Sequence, residues 1–180
     1  MARAMTGYGL GLGLLTISGL LLDFGGSGAA SANQFNLFMV LLRAYTPLLT
    51  PFSSALGYPI IGGAASYGII PLLIWVFTAF FLGILMRNAG SGAKAMFLAS
   101  STIVMIWIAS LFFSAPAWPD NSTWLSAVNK MAADLVSKPI DLCITLALPT
   151  ASSAITGQIT HLIQNRVVKQ SRLEENYSLF

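Results

Sequence analysis

Residues 67–115 decide the fold: YGIIPLLIWVFTAFFLGILM (67–86), RNAGSGAK (87–94) and AMFLASSTIVMIWIASLFFSA (95–115). The first and third pieces contain no charged residue. Each is about as long as the roughly 20 residues of helix that cross a hydrocarbon core. The loop between them carries Arg87 and Lys94 and no acidic residue. The stretch therefore predicts a helical membrane hairpin with a cytoplasmic loop, because short basic loops stay on that side of the membrane.

The composition predicts that the rest of the chain is also in the membrane. Of the 180 residues, 56% are hydrophobic and 8% are charged, whereas soluble domains carry about 25% charged residues. The net charge of +3 comes from basic residues near segment ends, which is typical of topology signals and not of a nucleic-acid surface. We therefore predict an all-α integral membrane protein, with residues 1–180 as a single multi-pass domain in a cell membrane.

The N-terminal segment, residues 6–22, predicts the first span. Four of its five glycines form two pairs spaced by four residues, so each pair lies on one helix face and lets another helix approach closely. The four glycines are Gly7, Gly9, Gly11 and Gly13. A cleaved secretory signal is the alternative, with residues 30–32 (ASA) as the cleavage site. The long glycine-rich segment before that site favours an uncleaved span.

The two segments between this span and the hairpin are ambiguous. Residues 35–50 form an apolar helix with one polar stripe that contains Arg43. Such a helix either lies in the membrane interface or is re-entrant, and a full span is the alternative, which would need a partner for Arg43. Residues 51–67 are interrupted by proline and glycine. They predict either a surface connector or a re-entrant segment.

The C-terminal third predicts one surface helix and one more span. Residues 122–138 have the apolar spacing of an amphipathic helix on the outer surface. Residues 139–165 predict the fourth span, and the basic residues after it make 166–180 a cytoplasmic tail. Small and hydroxyl side chains on this span favour packing against protein: Ser152, Ser153, Thr156 and Gly157. The prediction is thus about four transmembrane helices plus one or two interfacial or re-entrant helices, with both termini cytoplasmic.

Few residues are candidates for chemistry. His161 is the only histidine, and as a haem or pigment ligand it would lack a second protein ligand, so a structural role is favoured. Asp141, early in the fourth span, either stabilises the start of its helix or belongs to an ion path with Arg43. Cys143 is the only cysteine, so no disulfide forms within the chain. The sequence predicts no catalytic residue, metal site or cofactor, and no enzymatic activity.

We therefore interpret the chain as a non-catalytic subunit of a larger membrane assembly. Its expected partners are lipids and either other membrane subunits or copies of itself, and nucleic acid is not expected. The alternative is a small channel or carrier, in which residues 51–67 are re-entrant and residues 139–165 line a polar path. A water-filled cavity beside Ser152 and Thr156 would favour the alternative.

Overall fold

In the computed structural model, the described backbone covers residues 2–26 and 36–177, and side chains are described for residues 4–23 and 36–169. All regular structure in these ranges is helical, as predicted. The helices are α1 (Ala2–Gly26), α2 (Leu37–Leu49), α3 (Pro51–Ala55), α4 (Ile70–Met86), α5 (Ala89–Phe113), α6 (Asn121–Ser137) and α7 (Pro139–Tyr177). Short 3-10 turns lie at Ile61–Gly63 and Ala115–Ala117. The candidate cleavage site at residues 30–32 lies outside the described residues.

Three helices of the described chain are long and apolar enough to cross a membrane. They are Ala4–Asp23 within α1, Ala89–Phe113, and Pro139–Lys169 within α7. Helix α4 is shorter, at 17 residues, which is near the lower limit of about 17 residues for a transmembrane helix. The length criterion thus supports three of the four predicted spans directly.

The hairpin is formed by α4 and α5, with ends that differ from those predicted. Helix α4 begins slightly later, at Ile70, with Pro71 in its first turn, where the missing proline N–H breaks no helical bond. Helix α5 begins earlier, at Ala89, because the Asn88 side chain accepts a hydrogen bond from the backbone N–H of Ser91 at 3.2 Å. This cap starts the helix inside the predicted loop.

Helices α1, α4, α5 and α7 pack side by side, with α1 and α7 each lying against both helices of the hairpin. We call the end that carries the α4–α5 loop the loop end and the opposite end the far end. The largest fully buried side chains between the helices are Leu15, Trp75, Leu82, Met96, Ile103 and Trp107. The interior of the bundle is therefore filled by large apolar and aromatic side chains.

The two glycine pairs of α1 behave differently. A Cβ atom on Gly7 or Gly11 would lie 2.8 or 2.9 Å from side-chain atoms of α4, so these two glycines allow close packing. A Cβ atom on Gly9 or Gly13 would meet no atom of the described chain within 4 Å. Among the described residues, the expectation that all four glycines pack against a helix is therefore met only by Gly7 and Gly11, because the second pair faces away from the hairpin.

Helix α7 packs closely against the hairpin at glycine residues of both partners. A Cβ atom on Gly83 would lie 2.6 Å from the Thr156 Cβ and 2.8 Å from the Ser153 carbonyl oxygen. A Cβ atom on Gly92 would lie 3.0 Å from the same carbonyl oxygen, and one on Gly157 would lie 2.9 Å from the backbone of the hairpin loop. The backbones of α4, α5 and α7 are thus nearly in contact at the loop end.

Helix α6 begins at a strong cap and packs its apolar face inward. The Asp120 carboxylate accepts a hydrogen bond from the backbone N–H of Thr123 at 2.6 Å. Hydrogen bonds from Thr123 and Ser122 lower the pKa of Asp120 to about 2. The apolar face of α6 packs on the bundle core and on the 3-10 turn at Ile61–Gly63. Its members are Trp124, Val128, Met131 and Leu135. The predicted amphipathic helix is thus present and covers the far end.

Candidate functional site

The C-terminal half of helix α2 is enclosed by other helices, whereas Leu37 and Phe38 at its start are exposed. Its side chains are buried at Leu42 and at every position of 44–49. It packs mainly against α1 and α5, with further contacts to α4 and α7. A helix in a membrane interface would keep one face free of protein. The C-terminal half of this helix does not fit the interfacial form predicted for residues 35–50, because its side chains, polar ones included, are buried against protein.

Polar contacts from three helices hold α2. The buried indole N–H of Trp75 donates to the Leu48 carbonyl oxygen at 2.8 Å, and that of Trp107 donates to the Thr46 hydroxyl at 2.9 Å. The hydroxyls of Thr16 and Tyr45 lie 2.8 Å apart. The last four carbonyls of a helix lack a helical partner, so Trp75 satisfies one that would otherwise be unpaired. Both tryptophans, one from each helix of the hairpin, therefore donate to α2.

Gly19 provides the closest approach between α1 and α2. A Cβ atom there would lie 2.5 Å from the carbonyl oxygen of Ala44, which is a backbone atom and cannot move aside. Gly19 is not among the glycines for which the sequence predicts close packing. It follows Gly11 by eight residues, which places it about 80° from Gly11 around the helix, so it contacts α2 and not α4.

Helix α2 ends at Thr50, and a side chain of α7 caps the start of the next helix, α3. The Asp141 carboxylate is 2% exposed. Its Oδ1 accepts hydrogen bonds from the backbone N–H groups of Phe52 at 2.9 Å and Ser53 at 3.0 Å. Its Oδ2 accepts a hydrogen bond from the Ser53 hydroxyl. Asp141 therefore satisfies the free N–H groups at the start of α3 across 89 residues of sequence.

The structure adds a contact to the first role predicted for Asp141. The residue lies in the first turn of α7, where the helix dipole favours an anion, and its carboxylate also caps α3. It also lines neither of the cavities described below, whereas Arg43 lines one of them. The structure thus does not bring Asp141 and Arg43 together, and an ion path through both remains a prediction without a geometric basis.

A connector, residues 56–69, leads from α3 to α4 along α6. The Asp134 carboxylate accepts a hydrogen bond from the backbone N–H of Gly62 at 2.9 Å, and the Lys138 ammonium donates to the Pro59 carbonyl oxygen. The Ser54 hydroxyl accepts from the backbone N–H of Tyr67 at 3.0 Å. Gly62 has a φ angle of 82°, which favours glycine. The connector is therefore fixed on both α3 and α6, and the choice between a surface connector and a re-entrant segment for residues 51–67 stays a prediction.

A cavity of about 380 Å³ lies beside α2 at the far end. We call it the far-end cavity. Its walls come from the end of α1, α2, the connector, Trp118 and α6. Two charged residues line it, Asp23 and Arg43. Within the described part of the chain, the half-buried Arg43 guanidinium has no hydrogen-bond or ion-pair partner. Burial, followed by the negative charge of Asp23, raises the pKa of Tyr67, which also lines the cavity.

The threonine hydroxyls of α7 bond to their own helix, whereas the buried Ser153 hydroxyl has no partner among the described residues. The hydroxyls of Thr145, Thr156 and Thr160 each donate to the carbonyl oxygen four residues earlier, at 2.8, 2.8 and 2.9 Å. Ser153 and Thr156 lie against Gly83, as described above. The second cavity is an apolar surface groove that includes the exposed Cys143. Neither of these two cavities is lined by Ser152 or Thr156, and the polar path of the alternative function stays a prediction.

His161 lies on the exposed part of α7 beyond the loop end. Its ring nitrogens lie 3.4 and 3.5 Å from the side-chain nitrogen of Asn165. Among the described residues, no three His, Cys, Asp or Glu side chains are grouped so that they could hold a metal ion. The absence of a cofactor remains a prediction.

The described residues define a class: a helical bundle in which three helices are able to cross a membrane and a short, broken helix pair, α2–α3, is enclosed among them. Comparisons of the chain with protein-family models, curated proteins and solved structures found no match.

Proposed function

We propose that the chain is a multi-pass membrane protein with four spans, α1, α4, α5 and α7, and that α2–α3 is a re-entrant helix pair between them. Three of the spans meet the length criterion, and α4 lies in the same bundle. Backbone outside helices is tolerated at membrane depth only where protein covers it. The break between α2 and α3 at Thr50 meets this condition, because Thr50 is fully buried.

The charges support one orientation. Arg87 and Lys94 lie at the loop end, and Arg166 and Lys169 follow where α7 extends beyond that end. Asp23 and Asp141 lie toward the far end. By the positive-inside rule, the loop end and both termini are cytoplasmic.

Impermeant thiol labelling checks this orientation, since Cys143 can first be replaced by serine to remove the only native thiol. In intact cells, a cysteine at Asn121 is expected to react with a charged maleimide. A cysteine at Ser91 is expected to react only after the membrane is opened. The reverse pattern would invert the topology, and reaction of both sites in intact cells would exclude the four-span arrangement.

We propose further that the protein is a non-catalytic subunit of a larger membrane assembly. The supporting observation is the end of α7. Gly157 lies at the hairpin loop, and the helix continues at 1.5 Å per residue. Nearly all side chains of 158–169 are exposed, and the large apolar ones are Ile159, Leu162, Ile163, Val167 and Val168. With the membrane surface placed at the hairpin loop, these apolar side chains lie outside the hydrocarbon core, and exposed apolar patches of this kind mark interaction sites.

Native mass spectrometry of the protein extracted from its own membrane in mild detergent tests this role. We expect other membrane polypeptides or further copies of the chain to co-purify. A Leu162→Gln/Ile163→Gln variant is expected to lose these partners and keep its melting temperature, because both side chains are exposed. A Gln158→Ser/Gln164→Ser variant on the same helical segment is the matched control and should keep them. A monomer without partners, or partners that are retained by the apolar-to-glutamine variant, would contradict the role.

The second candidate function, a small carrier, is favoured by one observation, which is the far-end cavity beside the broken helix pair. The interior below the cavity is filled by Trp75 and Trp107, so transport would require α2–α3 to move. Solute flux into liposomes that contain the purified protein would favour this candidate over the accessory role.

A further inference from the structure

We propose that the far-end cavity binds the headgroup of a membrane phospholipid, with the phosphate on Arg43 and a primary ammonium toward Asp23. This inference rests on the membrane placement proposed above. It assigns a ligand class to a site that the accessory role leaves without one.

The positive charge of Arg43 calls for an anionic ligand. Arg43 lines a cavity whose other lining residues are mostly apolar, and no group in the described residues pairs with its guanidinium. Arginine carries a positive charge and presents a planar fork of N–H donors that matches the oxygens of a phosphate. A charge in apolar surroundings is poorly solvated, so an anionic group from outside the chain is the natural partner for Arg43.

The position of the cavity along the spans matches the level of lipid headgroups. Asp23 ends the apolar part of α1, and Trp118 follows directly after α5 and its 3-10 turn. Both residues line the cavity, so the cavity lies where the spans end and where lipid headgroups are found. Tryptophan side chains are enriched at that level of a membrane. The volume of about 380 Å³ lies within the range of small-ligand sites, which is roughly 300–1,000 Å³.

The walls of the far-end cavity combine charged and apolar side chains. The apolar lining side chains are Met39, Leu42, Pro47, Ile60, Ile61 and Met131, and they suit the glycerol and first methylene groups of a lipid. The Asp23 carboxylate on the same cavity disfavours a purely anionic headgroup and favours one that also carries a cation. A zwitterionic headgroup with a primary ammonium, as in phosphatidylethanolamine, meets both conditions.

Lipid titration of the delipidated, full-length protein followed by native mass spectrometry tests the site. We expect one phosphatidylethanolamine to bind in preference to phosphatidylglycerol. Arg43→Gln is expected to weaken this binding about tenfold or more, because it removes charge-assisted hydrogen bonds. Arg43→Lys should retain part of it. Lys94→Gln removes a positive charge at the loop end and is the matched control, which should bind as the wild type does.

A second variant keeps the test valid if Arg43→Gln does not fold. Met131→Trp fills the cavity from α6 and leaves Arg43 in place, and it is expected to abolish the bound lipid. Equal lipid binding by wild type and both variants would overturn the site. Equal affinity for the two lipids would overturn the headgroup assignment.

The source of the phosphate is tested with soluble glycerophosphoethanolamine. Arg43-dependent binding of this compound without binding of the lipid would overturn the lipid source. The labelling experiment above reports the membrane orientation independently, so a failure of the topology and a failure of the lipid site are distinguishable.

Discussion

Gly83→Leu is expected to lower the free energy of unfolding by about 3 kcal/mol, the upper part of the usual range for overpacking. The Cβ atom alone would lie 2.8 Å from the Ser153 carbonyl oxygen and 3.1 Å from the Gly157 backbone nitrogen. These are backbone atoms of α7, which cannot rotate away as a side chain end can. Relief therefore requires α7 to separate from α4, and this separation would also open its contact with α5.

Thermal unfolding in detergent, followed by circular dichroism and by tryptophan fluorescence, measures this effect. Gly13→Leu is the matched control, because the same change in helix propensity occurs where a Cβ atom meets no atom of the described chain. The control should unfold at or slightly above the wild-type temperature. Equal melting temperatures for the Gly83→Leu and Gly13→Leu variants would show that α4 and α7 do not approach as described.

The control also bears on assembly. If Gly13 and Gly9 face a partner helix, Gly13→Leu should leave the melting temperature of the isolated chain unchanged but reduce co-purification of partners. This separation of stability from assembly is possible because the two glycine pairs of α1 lie on different faces.

Close approach matters here for a physical reason. In a membrane, lipid tails are as apolar as leucine, so apolar burial gives helices little reason to associate. Dispersion contacts and hydrogen bonds between helices must hold the bundle, and both need short distances. Gly83, Gly92 and Gly157 permit such distances at the loop end, and Gly19 does so nearer the far end.

The sequence was sufficient to predict the elements whose signals are local. Apolar length and the charges Arg87 and Lys94 predicted the hairpin, and apolar spacing predicted α6. The extent of α7 was missed because hydropathy falls after residue 165. The following residues, which include Gln170, Arg172, Leu173 and two glutamates, are nevertheless good helix formers, so the helix continues to Tyr177 through the segment predicted as a tail.

The site could not be predicted in the same way, because its contacts join distant parts of the chain. The burial of α2 depends on Trp75 and Trp107, which lie 27 and 61 residues from the groups to which they donate. The polar stripe of residues 35–50 indicated a surface helix when it was considered alone. Only the tertiary structure shows that the hydroxyl of Thr46, also a polar residue of this helix, accepts a hydrogen bond from the buried indole of Trp107. It also shows that Arg43 lines a cavity.

Asp141→Ala is the second change with a large expected effect, a loss of about 3 kcal/mol in the free energy of unfolding. It removes the acceptor for three donors at the start of α3: the N–H groups of Phe52 and Ser53 and the Ser53 hydroxyl. Each buried donor that loses its partner costs roughly 1–3 kcal/mol, reduced where water can enter. Asp141→Asn keeps one acceptor oxygen and should lose less, and Ser53→Ala removes only the hydroxyl and should lose least.

Hydrogen exchange followed by mass spectrometry distinguishes this local effect from general destabilisation. In Asp141→Ala, peptides that contain Phe52 and Ser53 should exchange faster under conditions in which the core of α5 remains protected, because α3 loses its cap while the bundle persists. In Gly83→Leu, protection should fall across α4 and α7 instead. If the peptides around Ser53 exchange at the wild-type rate in Asp141→Ala, the carboxylate does not cap α3. The link between α7 and the enclosed helix pair would then have to come from packing alone.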